Sequence, residues 1–305
     1  MTLVSLGTLG ILVTNHATQT VEHEVSNALN TLADEKLKWI YQYIKDKEQT
    51  VISLAHLPVM TDALGEFTQA FQKNIDGNEY QQTDLKFRNH LSQLKEQLNT
   101  YDLILISPNG DIVFTVIRES DFGSNLNYGE LKNTQLAAAY RQATTLLETR
   151  ITKFEPYAPS QWQNEQTTIE NENQSAFIAA PVFKDEQLVG AVAVQYSSND
   201  YYHLAEDYTG LKQTGEIVIG KQDKKYALVI APLRHYPQAA FNLRFPIGSR
   251  VGLPLQSSVQ GEKGAGYSVD YDNNHIIAAW RYIPELEWGL VVKLDSEEAL
   301  ASANQ

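Results

Sequence analysis

From Thr18 to Ala55 the chain runs without a glycine or a proline, and this restricts the fold more than any other feature. Val21, Val25, Ala28 and Leu32 recur at spacings of four, three and four, and Ile40, Ile44 and Val51 carry the pattern onward. A helical period kept over that length predicts one long amphipathic helix. Lys36 and Tyr43 interrupt the apolar stripe, so it departs from a regular heptad seam. The stripe offers a face to a domain or to the same helix of a second copy, and a homodimer through it is an expectation.

The flanks of this helix differ. Leu3 to Val13 is apolar but too short to span about 30 Å of hydrocarbon. No Lys or Arg precedes Lys36 and no small-x-small cleavage site follows, which argues against a signal peptide. The stretch fits the residual end of a transmembrane helix, the alternative being a packed N-terminal helix. After Pro58, Val59–Ile75 and Thr83–Leu98 read as further helices separated by the polar segment Asp76–Gln82.

At residue 101 the period changes. Tyr101–Ser107 and Asp111–Val116 alternate as strands around Pro108-Asn109-Gly110, a hairpin turn. A helix over Leu131–Glu148, an irregular polar stretch over Phe154–Gln174 and a second hairpin, Ala176–Phe183 with Leu188–Tyr196, complete a module. A similar set follows: strands at Gly215–Gly220, Tyr226–Ile230, Tyr267–Tyr271 and His275–Trp280. Without a gap, Ile178, Ala179, Ala180, Phe183, Gly190 and Val192 fall on Ile277, Ala278, Ala279, Tyr282, Gly289 and Val291. The repeat predicts two similar α+β modules in tandem.

Composition then excludes whole classes of function. A formal net charge of -13 opposes phosphate backbones, so no nucleic acid is expected. With no cysteine there is no disulfide, thiolate metal site or Cys nucleophile. The seven histidines include no i, i+4 pair, and no Gly-x-Ser-x-Gly elbow exposes a serine. Asp270-x-Asp272-x-Asn274 imitates a calcium loop but continues with His275 where Gly is needed and Arg281 where Glu is needed. The Gly261–Gly266 run lacks the Lys-Ser/Thr ending of a phosphate loop and reads as a flexible turn. No cofactor, metal or catalytic residue is expected, and the chain is read as a non-enzyme.

The order of these pieces resembles the double Cache (dCache) sensor domains of bacterial histidine kinases and chemoreceptors. The resemblance rests on the long helix, on LILISPNGDIVFTVIRESDFG (103–123), on KFEPYAPS (153–160) followed by AFIAAP (176–181), and on Thr214-Gly215-Glu216. It implies an α+β fold of two PAS-like modules, each a mainly antiparallel sheet flanked by helices. The implied boundaries are a membrane-helix end at 1–14, a helical stalk at 15–100 and a membrane-distal module at 101–205. A membrane-proximal module at 206–296 and the start of a helix toward a second membrane span at 297–305 follow.

It also implies an inner-membrane receptor with this region periplasmic or extracellular. A small organic ligand would sit in the distal module among Arg118, Asp121, Phe154, Tyr157, Ser160, Trp162, Phe177 and Gln195. Aromatic walls bury ligand surface while a few polar groups orient it. Arg118 is suited to pairing bidentately with a carboxylate, which makes an anionic ligand the expectation. Amino-acid-binding members carry Arg-x-Trp-Tyr and a strand-terminal Asp where this chain has Phe154-Glu155-Pro156-Tyr157 and Gln195, which argues against an amino-acid ligand. The rival readings are a tethered periplasmic hydrolase and a module that binds a protein partner.

Overall fold

The computed structural model describes residues 3–160 and 174–301, with side chains from residue 20 onward. It divides into two units, Gln42–Asp200, and Met1–Tyr41 with Tyr201–Gln305. Helix α1 (Leu3–Ala55) is continuous, as its lack of Gly and Pro after Thr18 requires, and supplies the first element of both units. Its buried line is Leu29, Ala33, Lys36, Ile40, Ile44, Glu48 and Val51, whereas Ala28 is exposed. The face therefore drifts from the one the spacing of Val21, Val25, Ala28 and Leu32 predicts.

The polar residues in that line are attachment points. Lys36 Nζ donates to the Asp207 carboxylate and to the Asp207 carbonyl at 3.1 Å. Glu48 Oε1 accepts from the Ile151 amide at 3.0 Å, and Tyr43 Oη donates to the Asp200 carbonyl at 3.1 Å. A heptad seam would exclude these side chains, and they anchor α1 to its own units instead. Among the described residues no helix is long and apolar enough to cross a membrane.

In the unit 42–200, α2 (Pro58–Lys73) and α3 (Asn78–Gln97) follow α1. Pro58 sits at the helix start, where its missing N–H costs nothing. α3 begins five residues before the expected Thr83, right after Gly77, because Asp76–Gln82 is polar without being helix-breaking and buries Tyr80. The sheet has the order β2-β1-β5-β4-β3, entirely antiparallel, from β1 (Asp102–Ile106), β2 (Ile112–Thr115), β3 (Glu155–Pro156), β4 (Gln174–Lys184) and β5 (Gln187–Ser197).

One sheet face carries Phe114, which packs on Phe67 of α2 with ring centroids 4.7 Å apart. The other face carries Ile104, Ala193, Ala179 and Phe177 beneath α4 (Gln135–Arg141). The helix expected over Leu131–Glu148 is broken, with a 3-10 turn at Glu130–Asn133, α4, and a π turn at Gln142–Leu146. Thr134 causes the first break, since its Oγ1 caps Ala137 N at 3.3 Å.

The other unit holds α5 (Asn199–Ala205), which the boundary enters, α6 (Leu253–Val259), α7 (Ser296–Ala301) and a second antiparallel sheet. Its order is β8-β7-β6-β11-β10-β9, from β6 (Glu216–Asp223), β7 (Tyr226–Val229), β8 (Arg244–Pro246), β9 (Gly264–Val269), β10 (His275–Ile283) and β11 (Trp288–Asp295). β8 and α6 were not legible beforehand. The glycine run at 261–266 is a turn only in its first part: Gly264 and Gly266 belong to β9, and a Cβ on Gly264 would lie 2.4 Å from the Trp280 ring.

Both modules thus share a central hairpin, β4-β5 in one and β10-β11 in the other, but the ungapped repeat is out of register in its second strand. Val192 pairs with Leu105 and Ala180, on the face away from Phe177, whereas Val291 lies in the core with Leu255 and Val259. The β4-β5 hairpin has a register shift at Val182/Phe183 that β10-β11 lacks. One extra residue in a bulge inverts which face every later side chain takes.

Candidate functional site

The candidate site is built on the α4 face of the first sheet. Asp102, Gln195 and Phe177 are direct cross-strand partners on β1, β5 and β4, one row beyond Ile104, Ala193 and Ala179. Alternation along the strands therefore puts all three side chains on the same face. The segment 157–160 lies over this row: the Tyr157 ring meets Phe177 edge-on at 4.8 Å, and Gln195 Nε2 donates to Ser160 Oγ at 2.7 Å. Gln195 Nε2 also donates to Ser175 Oγ at 2.9 Å. Tyr157 Oη donates to Asp121 Oδ2 at 2.9 Å, drawing the loop after β2 into the same cluster.

Six of the eight expected residues are buried: Asp121, Phe154, Tyr157, Ser160, Phe177 and Gln195. Trp162 lies outside the described residues. Arg118 is placed elsewhere: it is exposed, with positive φ, and its guanidinium lies 4.9 Å from the Phe122 ring, 5.7 Å from the Tyr80 ring and 3.7 Å from Asp84. It is thus directed to α3 residues and away from the Asp102–Gln195 row. Asp102, Tyr101, Glu119 and Ser175 were missed. A charged residue opening the apolar strand DLILI was the available signal for Asp102.

The electrostatics are one-sided. Burial pushes the Asp102 carboxyl up to about 7, against three backbone N–H groups that donate to its Oδ1 (Leu103, Val116 and Ile117), and Asp121 raises it further. Asp121 is also raised, by burial first and by Glu119, while Tyr157 and its own and Phe122's backbone amides act in the opposite direction. Tyr157 and Tyr101 are held protonated by burial and by the same carboxylates. Tyr101 Oη donates to Glu119 Oε1 at 2.5 Å. Among the described residues, two buried acceptors in this cluster, Asp121 Oδ1 and Gln195 Oε1, find no hydrogen-bond partner.

The second sheet carries a comparable row with the opposite balance. Glu216, the first residue of β6, pairs across with Lys293 of β11, as Asp102, the first residue of β1, pairs with Gln195. Lys293 Nζ lies 2.7 Å from Asp270 Oδ2 and 3.1 Å from Glu216 Oε1. Burial alone would lower the Lys293 pKa, but Glu216 and Asp270 together raise it. Tyr271 Oη and the Arg234 amide complete Glu216 at 2.6 and 3.1 Å. Beside this network Val218, Leu255, Tyr271 and Val291 line a small apolar cleft. Among the described residues no group of three His, Asp or Glu side chains is placed to hold a metal ion.

A family model described as a Cache domain, dCache_1, matches residues 14–303. The chain belongs to the dCache family. Solved dCache-like structures share its fold. The sensor domain of the V. cholerae histidine kinase DctB is 13% identical, with a TM-score of 0.50 over 88% of this chain and 98% of that one. The ligand-binding domain of the Pseudomonas fluorescens chemoreceptor CtaA, in complex with L-serine, is 13% identical, with a TM-score of 0.51 over 90% and 99%. The sensory domain of the Campylobacter jejuni chemoreceptor Tlp3, with isoleucine bound, is 11% identical, with a TM-score of 0.54 over 93% and 98%. No curated protein sequence matches the chain. The three solved structures are sensor or ligand-binding domains by description, and what this chain shares with them is the fold.

Proposed function

We propose that this dCache chain is the extracytoplasmic ligand-binding region of an inner-membrane receptor, with a small organic molecule held in the module at 101–205. The observation that carries the reading is the pair of buried, unbonded acceptors, Asp121 Oδ1 and Gln195 Oε1, in a cluster walled by Tyr157 and Phe177. Buried polar atoms in native proteins almost always find partners, so two orphaned acceptors side by side in one aromatic-walled cluster call for a group that completes them. Occupancy would pull Asp121 and the 157–160 segment toward the sheet, and α1 would carry the displacement toward flanking membrane helices and a second copy. A ligand can do this only by favouring one of two populations.

The test is the unfolding midpoint of the 305-residue chain across organic acids, amines, amino acids and nucleobases. A ligand at a hundred times its Kd adds about 2.7 kcal/mol to the native state. A midpoint unmoved by the whole panel contradicts the reading, and so does a hit that survives unchanged in Tyr157→Phe combined with Gln195→Met.

A further inference from the structure

We infer that Lys293 is the resident occupant of the second module's pocket: its tethered ammonium closes the polar end of the α6 face, so that this module takes no free polar ligand and is held in one arrangement by its own side chain. This assignment uses the second sheet alone and is independent of the ligand-binding reading above. Glu216 and Lys293 pair across β6 and β11, one row beyond Val218 and Val291, which pair in the same way and lie in the core with Leu255 of α6. Alternation along each strand puts both charged side chains on the α6 face. Asp270 and Tyr271, just past the end of β9, bond to the same row. Lys293, Glu216 and Asp270 are all buried.

The ammonium completes what it faces. Lys293 Nζ donates to Asp270 Oδ2 at 2.7 Å and lies 3.1 Å from Glu216 Oε1. Asp270 Oδ1 takes the Asp272 and Asn274 amides at 2.8 and 2.9 Å, Glu216 Oε1 takes Tyr271 Oη, and Glu216 Oε2 takes the Arg234 amide. Asp295 Oδ1 finds no hydrogen bond among the described residues but faces the same ammonium at 3.6 Å. What remains beside the network is apolar, lined by Val218, Phe245, Leu255, Ile276 and Val291. A polar group entering this cleft would be desolvated with nothing to bond to. A ligand carboxylate would have to draw Lys293 away from Asp270 and Glu216, and a ligand ammonium would have to displace Lys293 itself. Both compete against a group that is covalently tethered and therefore always at high effective concentration.

The lock lies where the chain leaves the sheet. β11 runs directly into α7, whose Glu298 accepts from the Gln213 amide at 3.0 Å and from Thr214 N and Oγ1 at 2.8 and 2.6 Å. The Asp295 amide donates to Thr214 Oγ1 at 3.2 Å. Thr214 stands two residues before Glu216, so the segment that anchors α7 is the one that leads into Lys293's cross-strand partner. The Glu216–Lys293 row thus fixes β6 and β11 just before the start of α7.

Chemical rescue tests the assignment. Lys293→Ala removes the atoms from Cγ to Nζ, and n-propylammonium supplies the same atoms untethered. In titration calorimetry of the 305-residue chain, n-propylammonium should bind Lys293→Ala at least about tenfold more tightly than the wild type, while propionate and tetramethylammonium do not. Hydrogen exchange of the β11 amides, faster in Lys293→Ala, should slow again with n-propylammonium. Lys293→Met, which refills the volume without the charge, should stay fast and indifferent to the amine. An equal amine response in wild type and Lys293→Ala, or an amine response in Lys293→Met, overturns the inference. If Lys293→Ala does not fold with or without the amine, the side-chain ammonium resonance of Lys293 in the wild-type chain decides. It should stay protected from solvent exchange in the presence of acetate, succinate, ethanolamine and L-serine, and loss of that protection with any of them overturns the inference.

Discussion

Replacing Tyr157 by Phe removes one oxygen from the centre of the site and nothing else. The Tyr157 ring keeps its edge contact with Phe177 at 4.8 Å, so no cavity opens. What is lost is the 2.9 Å bond from Tyr157 Oη to Asp121 Oδ2, between side chains that are 2% and 1% exposed. Because Asp121 Oδ1 has no partner among the described residues, the variant leaves the carboxylate with no side-chain donor among them. A hydrogen bond to a buried charged group contributes about 1.5–3 kcal/mol, and a neutral pair about 0.5–1.5 kcal/mol. In a unit of about 160 residues this corresponds to roughly 3–12 °C in the unfolding midpoint at pH 8. Burial raises the Asp121 pKa, so acidification neutralises it early and the Tyr157→Phe deficit should shrink by about half by pH 4. Calorimetry of the wild-type chain, Tyr157→Phe, Asp121→Ala and the double variant at both pH values measures the coupling, expected to exceed about 1 kcal/mol at pH 8. Equal deficits at the two pH values, or additive single variants, would refute the charge-assisted bond.

Two further outcomes follow from buried charge. Asp102, held up to about 7 in the fold, contributes stability that is complete below about pH 4 and lost as pH rises through 7. Asp102→Asn should therefore gain on the wild type at pH 8 relative to pH 4, in denaturant titrations at each pH, and a constant difference between the two proteins would contradict the assignment. In the other unit, Arg281 is 2% exposed and its Nε and Nη2 reach Asp34 Oδ1 at 2.6 Å and Asn30 Oδ1 at 2.7 Å on α1, holding the Asp34 carboxyl below its usual range. Arg281→Ala should cost about 1.5–3 kcal/mol and expose residues 29–36 of α1 to hydrogen exchange, whereas protection left intact there would show that the helix is held by its apolar contacts alone.

How much of this was legible depends on what each feature is made of. α1 and the β1-β2 and β4-β5 hairpins follow from side-chain period, which is written in the residues themselves, and the family resemblance ordered them. α6 (LPLQSSV) is too short to show a period, and β8 has only three residues. The repeat was visible, but its register was not, because the bulge at Val182/Phe183 is a backbone event that leaves no mark on composition. Asp121, Tyr157, Ser160, Phe177 and Gln195, distant in sequence, are linked by hydrogen bonds and ring contacts. Arg118 separates from them because its left-handed backbone at φ 62, just past the end of β2, turns the side chain toward Asp84 and the Tyr80 and Phe122 rings. Asp102 was overlooked because a strand reading counts apolar residues and passes over the polar one that opens the strand.

On the reading proposed above, the module at 101–205 receives a small molecule against Asp121 and Gln195. A crystal structure of the chain grown with whichever compound raises its unfolding midpoint most tests this directly. The compound is expected between the Tyr157–Phe177 aromatic pair and the Asp102–Gln195 row, with a polar atom within about 3.2 Å of Asp121 Oδ1 or Gln195 Oε1. The same compound found only in the cleft beside Lys293, with both acceptors still unbonded, would contradict it.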